Sequence, residues 1–374
     1  MAKKAKEMRA FKIRPESEKE QIALDIFYCL KAGADPLKVC IRPEASKAAD
    51  YAENYLNLVA RRELIRASAD NSSYKFNKDH GKILGIGFRS DECFLTVIDL
   101  AGNILEEEKI TIELLIKGRA KNKDINGIVS VIDNTTKLKG RSFLCVGVAV
   151  PEEILESNPK SVDLFARGIA DIFGCSIFTT TSATAAGYAD KDLIPVCSGK
   201  NILYMYADVG IGVVFKKELI FEADEYSGEK AGAYLRPWNQ FSIVNAAKDF
   251  VLRGIGTDVV HMVGGDVDKI TLDVVFAAAG KNDELAEELI KRSGLALGVR
   301  VAYLVNMFNA DIVVFGGGVE IYGSLFVNEV RESMGKFLSP EVFNALKTVP
   351  GVLGKKSSSA GAALLCRREM FMEV

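Results

Sequence analysis

From Lys82 to the C-terminus the apolar residues fall into one order of strands and helices that occurs twice, and few architectures accommodate such a duplication. The stretches "KILGIGF", "CFLTVIDL" and "NILEEEKI" are rich in β-branched and aromatic residues, with the turn signal "LAGN" between the last two, so they read as consecutive strands. In "DINGIVSVI", Ile125, Ile128, Val129 and Ile132 share one helical face. The strand "SFLCVGVAV", the helix "SVDLFARGIADIF" and the strand "SIFTTT" follow. The order then returns in altered form, with strands "NILYMYADV", "GVVF" and "ELIFEA", a long helix near 283–309 and the strand "DIVVFGGG". A strand meander followed by alternating helices and strands, met twice, predicts two related α/β lobes with a cleft between them.

Composition supports a body of that size. The chain has 374 residues, 48% hydrophobic and 26% charged, enough for a large core and two or three domains. Its formal charge of -2 predicts neither a wholly basic coat nor an acidic tail. No apolar run reaches the roughly 20 residues of a membrane helix, and "MAKKAKEMRAFKIR" is followed by no apolar segment of the kind a secretory signal needs. The seven cysteines are scattered without a CxxC pair and read as reduced core thiols, so a cytoplasmic location is expected. The two histidines, His80 and His261, match no zinc spacing and leave little room for Ser-His or Cys-His catalysis.

The first 80 residues differ from the rest. Residues 1–66 hold 14 Lys/Arg against 10 Asp/Glu, while the whole chain is net acidic. Ser17 and Glu20 fit a capping box opening a helix with Ile22, Ile26, Phe27 and Leu30 on one face, and Gly33 suits its end. Asp35-Pro36 starts a short helix "PLKVCI". Ser46 can cap a third helix that turns Ala45, Ala49, Ala52, Leu56 and Val59 inward and Lys47, Asp50, Asn54 and Asn57 outward. "LIRA" and "SYKF" then flank the polar turn "DNSS", as in a two-stranded wing. Three helices and a hairpin in this order predict a winged helix-turn-helix, with Lys38, Arg42, Ser46, Lys47, Arg66 and Lys75 as DNA contacts. The alternative is a helical protein-interaction or oligomerisation head. The first 14 residues, six basic and one acidic, fit a phosphate-touching arm or a disordered tag.

"DVGIGVV" and "VVFGGGV" both lie where a strand ends, as backbone amides must to approach a phosphate, yet neither matches a Walker loop or the GxGxxG fingerprint. Residues 272–319, "LDVVFAAAGKNDELAEELIKRSGLALGVRVAYLVNMFNADIVVFGGGV", resemble the signature of the ROK family of repressors and sugar kinases. "VGVAVP", "GIG", "SGEKAG" and "SSSAGAALL" fall in that family's order. The resemblance covers residues 82–374 and implies an actin-like, ribonuclease-H-like (hexokinase-type) pair of lobes that binds a sugar, with the head in the place of the repressors' winged helix-turn-helix. The expected division is 1–80, 81–190 and 191–357, with a C-terminal helix over 358–372 packing back on the first lobe.

Departures from the kinase pattern carry as much weight as the matches. In "GIGFRSDE", Gly87 stands where the resemblance implies an acidic residue, and Arg89, Ser90 and Asp91 replace small ones. In "TSATAAGYAD", Thr181 and Ser182 take the places of an Asn-Asp pair whose Asp is the base, and a serine hydroxyl is no general base near neutral pH. "DVGIG" sets Asp208 in the phosphate loop. Ala233 replaces a zinc-ligating histidine, and residues 198–365 contain no cysteine, so no metal is expected. What remains implied is a sugar contact at Glu229, Thr181 and Ser182, nucleotide-loop remnants at Gly210, Gly212, Gly316, Gly317 and Gly318, and no catalytic residue or cofactor. The expectation is a cytoplasmic repressor that binds operator DNA as a homodimer or homotetramer and responds to a sugar or sugar phosphate. An ATP-dependent sugar kinase with an atypical site and a pseudokinase scaffold are the alternatives.

Overall fold

The computed structural model describes the chain except residues 1–7, 12–14, 37–45, 69–72, 90–91, 112–121, 136–137, 139, 152–153, 156–158, 207–210, 217, 223–242, 319, 321–323 and 374. It divides into two compact units, residues 1–189 with 358–374, and residues 190–357. The head does not separate from the first lobe, because residues 1–80 belong to the same unit.

In the first unit β4 (Lys82–Arg89), β5 (Glu92–Asp99) and β6 (Ile104–Thr111) form the antiparallel meander, and β7 (Cys145–Val150) and β8 (Ser176–Thr181) add in parallel beside β4. The order β8-β7-β4-β5-β6 is extended by β1 (Met8–Ala10), which pairs parallel with β8 in the register Met8↔Ile177. Part of the basic N-terminal stretch is therefore an edge strand, with Arg9 ion-paired to Glu373 and the Phe11 amide donating to the Thr179 carbonyl at 2.9 Å. One face of the sheet packs on α3 (Asn122–Asp133) and α4 (Pro159–Phe173), with Ile128, Ile132, Phe165 and Ile169 buried against Leu84, Ile86 and Val148.

α5 (Ser182–Leu193) is buried from Ser182 to Asp190, and α12 (Ser357–Met372) along nearly its whole length, so neither shows an amphipathic stripe there. Their spacing is set by small residues. A Cβ on Gly361 would overlap the carbonyl of Ala185, so only glycine lets α12 lie this close to α5.

The head packs on the last turns of α12. α1 (Glu18–Lys31) opens with the Ser17 hydroxyl accepting from the Glu20 amide at 3.2 Å, while the Glu20 carboxylate reaches the Glu16 amide at 2.7 Å instead of closing the box on Ser17. α2 (Ser46–Arg61) buries Ala52, Tyr55, Leu56 and Val59 and exposes Asp50, Asn54 and Asn57. β2 (Ile65–Ala67) and β3 (Tyr74–Phe76) form the hairpin. Most of the short helix expected at "PLKVCI" lies outside the described residues. Phe27 of α1 and Phe76 of β3 meet Phe371 with ring centroids 5.5 and 5.2 Å away, and the Tyr55 hydroxyl donates to the Phe371 carbonyl.

The second unit repeats the sheet topology. β9 (Asn201–Tyr206), β10 (Ile211–Lys216) and β11 (Glu218–Glu222) make the meander, and β12 (Ile312–Gly316) and β13 (Lys347–Pro350) add in parallel, giving β11-β10-β9-β12-β13. Its core joins β9 and β12 to α6 (Ile243–Leu252), α7 (Asp258–Met262), α8 (Leu272–Ala279), α9 (Glu284–Phe308), α10 (Ser324–Gly335) and α11 (Pro340–Ala345). Of the described cysteines, Cys29, Cys93, Cys145, Cys197 and Cys366 are buried and Cys175 is half-buried. Among the described residues no helix is long and apolar enough to cross a membrane, and no cluster of side chains could hold a metal ion.

Candidate functional site

In an open sheet of parallel strands, ligands bind beyond the carboxyl ends of those strands. In the first unit the register aligns Gly87 with Ala149 and Ala149 with Thr180, so β4, β7 and β8 end together and Thr181 passes straight into α5. Thr181 is the N-cap. Its hydroxyl accepts from the Thr184 amide at 3.3 Å and so is turned back on the helix. Ser182 and Thr184 behave differently. Both are buried, at 1% and 2% exposure, and their hydroxyls have no hydrogen-bond partner among the described residues. Ser358, on α12 beside Gly87, is a third such hydroxyl. A buried hydroxyl without a partner costs about 1–3 kcal/mol, so each of these is a polar group with hydrogen-bonding capacity to spare; Ser182 and Thr184, two residues apart on α5, do not share a helix face.

An acidic side chain at position 87 has no room beside Ser358. A Cβ on Gly87 would stand 2.5 Å from the Ser358 hydroxyl and 2.6 Å from the Ser359 amide, so an acidic residue there requires α12 to move. No base stands at Ser182 either. Among the described residues the arrangement offers hydroxyl donors and acceptors, and the Ser182 hydroxyl is not a group that takes a proton near neutral pH.

In the second unit β12 runs out into Gly316, Gly317 and Gly318, the last two in the left-handed region at φ +83° and +97°. These glycines admit aromatic side chains. The Tyr204 hydroxyl fills the place of a Gly316 side chain, and the Tyr206 ring lies 2.7 Å from where a Gly317 Cβ would be. The Gly318 amide, which could face a phosphate, donates instead to the Glu320 carboxylate at 2.8 Å. A phosphate oxygen would have to displace that anion. Gly212 is in β10 opposite Met205; Gly210 and Asp208 lie outside the described residues.

Under this turn is a carboxylate that sequence reasoning missed. Asp190 is fully buried and accepts from the Val352 amide at 2.9 Å. Burial pushes its carboxyl above the usual range, against the opposing pull of the Val352 amide, the Tyr204 hydroxyl and the Leu353 amide. Burial also pushes the Tyr204 hydroxyl well up, aided by the nearby Asp190, Glu320 and Tyr206. The chain passes between the units at 189/190 and 357/358, so Asp190 ties one crossing segment to the residues just before the other. The available signal was an acid closing the alanine-rich run "ATAAGYAD", where an exposed helix would show more polar positions.

In the head, Arg66 and Lys75 are exposed and directly opposite each other in the hairpin register. Like charges so placed repel, and the Asp79 carboxylate, 3.0 Å from Arg66, offsets this only in part. Ser46 and Lys47 open α2, but their side chains, like Lys38, Arg42 and Glu229, lie outside what is described. Also unforeseen were Arg367 and Arg368 in α12, both fully buried. The Arg367 guanidinium lies 5.1 Å from the Phe27 ring and 5.4 Å from the Phe76 ring, and Arg368 lies 2.5 Å from Glu369.

Residues 254–369 match the family model described as "ROK family". The chain is 22% identical over 286 residues to the xylose repressor of Caldicellulosiruptor bescii, covering 68% of this chain and 70% of that one. A ROK family transcriptional regulator described as a homologue of the E. coli MLC protein superposes with a TM-score of 0.63 at 15% identity, over 95% of this chain and 97% of that one. A ROK family glucokinase from Streptomyces griseus, solved with glucose and AMPPNP, gives 0.58 at 17% identity, over 77% and 99%. At these identities the structures speak for the hexokinase-like fold alone.

Proposed function

We propose, from the match of residues 254–369 to the ROK family model, that the protein is a sugar-responsive transcriptional repressor. In this reading the head is a winged helix-turn-helix that binds operator DNA, and the body is a sensor without kinase chemistry. The observation that carries it is the buried, unpartnered Ser182 hydroxyl at the carboxyl end of the sheet. That group can bind a sugar hydroxyl but cannot deprotonate one. Gly87 without room for an acid, and Glu320 on the Gly318 amide, argue in the same direction against magnesium and phosphate. No metal or cofactor enters the reading.

Response to the sugar follows a packed path within the first unit. A ligand at Ser182 bears on the first turn of α5; Ala185, in that turn, is in contact with Gly361 of α12. The far end of α12 carries Arg367 and Phe371 beneath α1 and β3 of the head. A sugar with different affinity for two placements of α12 therefore shifts the head's placement. The relatives' names make D-xylose the first effector to test. The test is a gel shift on the DNA upstream of the protein's own coding region, with and without D-xylose and other aldoses, beside a coupled assay for sugar-dependent ATP consumption. DNA binding weakened by a sugar supports the reading; ATP consumption without DNA binding replaces it with the kinase.

A further inference from the structure

Besides the end of α12, the head also reaches α5. From the last turn of α1 the Tyr28 side chain extends to it, and the Tyr28 hydroxyl meets that of Tyr188 at 3.3 Å, a contact in which either group can donate. Tyr188 is 1% exposed and Tyr28 is half-buried. Along α5, Tyr188 comes one turn after Ala185, which Gly361 of α12 touches, and six residues, about 9 Å, after Ser182. The nine residues from Ser182 to Asp190 are all buried, so this part of the helix moves as one piece. A displacement at Ser182 is therefore felt at Tyr188 without passing through α12.

We propose that Tyr28 and Tyr188 are positioning residues of the sensor: their contact ties the head directly to α5 and is released when a sugar hydroxyl engages Ser182, a step that rests on the sensor reading of that serine. Packing sets the direction. A hydroxyl buried as deeply as that of Ser182 is reached only when the first turn of α5 gives way. That turn cannot move toward α12, because a Cβ on Gly361 would already stand 1.7 Å from the Ala185 carbonyl oxygen, so it moves away. α1 stays with α12, where the Phe27 ring lies 5.5 Å from that of Phe371. Tyr188 then draws back from Tyr28. Their hydroxyls, at 3.3 Å, are already beyond the roughly 2.8 Å usual for such a pair, and a few tenths of an ångström more ends the hydrogen bond. Apolar packing tolerates a shift that small; a hydroxyl pair registers it.

Calorimetric titration of the full chain without DNA tests the contact, using whichever of D-xylose, D-glucose and other aldoses binds the native protein. Tyr28→Phe and Tyr188→Phe keep both rings and remove one hydroxyl each, so the sugar no longer has to break the bond. Each variant should bind that sugar roughly two- to fivefold more tightly than the native chain. The double variant should gain no more than the singles, since the two hydroxyls share one interaction. A tyrosine that only supports the fold would leave sugar affinity unchanged or lower it. Either of those results, or gains that add in the double variant, would overturn the proposal even where a sugar weakens DNA binding and the repressor reading holds. A native chain that binds none of the aldoses overturns it together with the sensor reading. Tighter sugar binding by the variants of a chain that binds no duplex DNA ends the repressor reading and leaves the contact standing.

Discussion

Ser182 and Asp190 stand one at each end of the buried part of α5, and both are polar groups placed where an alanine would pack. Removing the Ser182 hydroxyl takes away an unpartnered buried atom, so Ser182→Ala should melt at or slightly above the native temperature, while the sugar concentration needed to affect DNA binding rises at least severalfold. A thermal melt beside a DNA titration checks both halves; a clear loss of stability would mean the hydroxyl has a structural partner. Asp190 predicts a pH dependence. Its carboxyl is raised in the fold, so between about pH 4 and that raised value the unfolded chain has released a proton that the folded chain keeps. Stability therefore falls as pH rises through that window. Asp190→Asn cannot ionise, and its melting temperature should fall less than the native one from about pH 4 to about pH 7; parallel curves would contradict a buried, proton-holding carboxyl. The serine was legible because its flanking motif names the position. The aspartate was not, since an acid at a helix's end reads as solvated until the β13–α12 turn is seen to cover it.

At the scale of elements, α12 shows most clearly what a sequence conceals. The expected helix over 358–372 carries "SSSAGAALL" in its first half, fit for close packing, and the charged run "CRRE" in its second half, whose burial the pattern does not show. Those charges are buried because the head closes over them, with Arg367 between Phe27 and Phe76. Arg367→Ala removes both ring contacts and the packing of the stem, so it should destabilise the first unit by about 2 kcal/mol or more and weaken sugar control of DNA binding. Denaturant melts measure the first effect; a change within experimental error would mean the head is held elsewhere. The hairpin is the opposite case, fully legible from "LIRA", "SYKF" and the polar turn between them. Lys75→Ala should leave stability unchanged, relieve the repulsion with Arg66, and reduce the salt slope of DNA binding by about one. An unchanged slope would remove the wing from the DNA contact.

For the whole molecule, the duplicated order of elements was readable because each meander and each parallel addition has its own hydrophobic period, and both sheets carry the same topology. What pattern alone could not supply were contacts remote in sequence: β1 on the edge of β8, α12 beneath the head, and aromatic rings in the space above the glycine turn. Within the first unit, α12 joins the head at one end to the end of β4 at the other. One measurement bears on that link most directly, the affinity of the full chain for the duplex upstream of its own coding region, titrated with D-xylose and a panel of aldoses at fixed salt. The expected result is sequence-dependent, salt-sensitive binding that one of these sugars weakens at least tenfold, equivalent to about 1.4 kcal/mol of coupling. Binding no tighter than to an unrelated duplex, or affinity unmoved by any sugar, would contradict a sugar-responsive repressor.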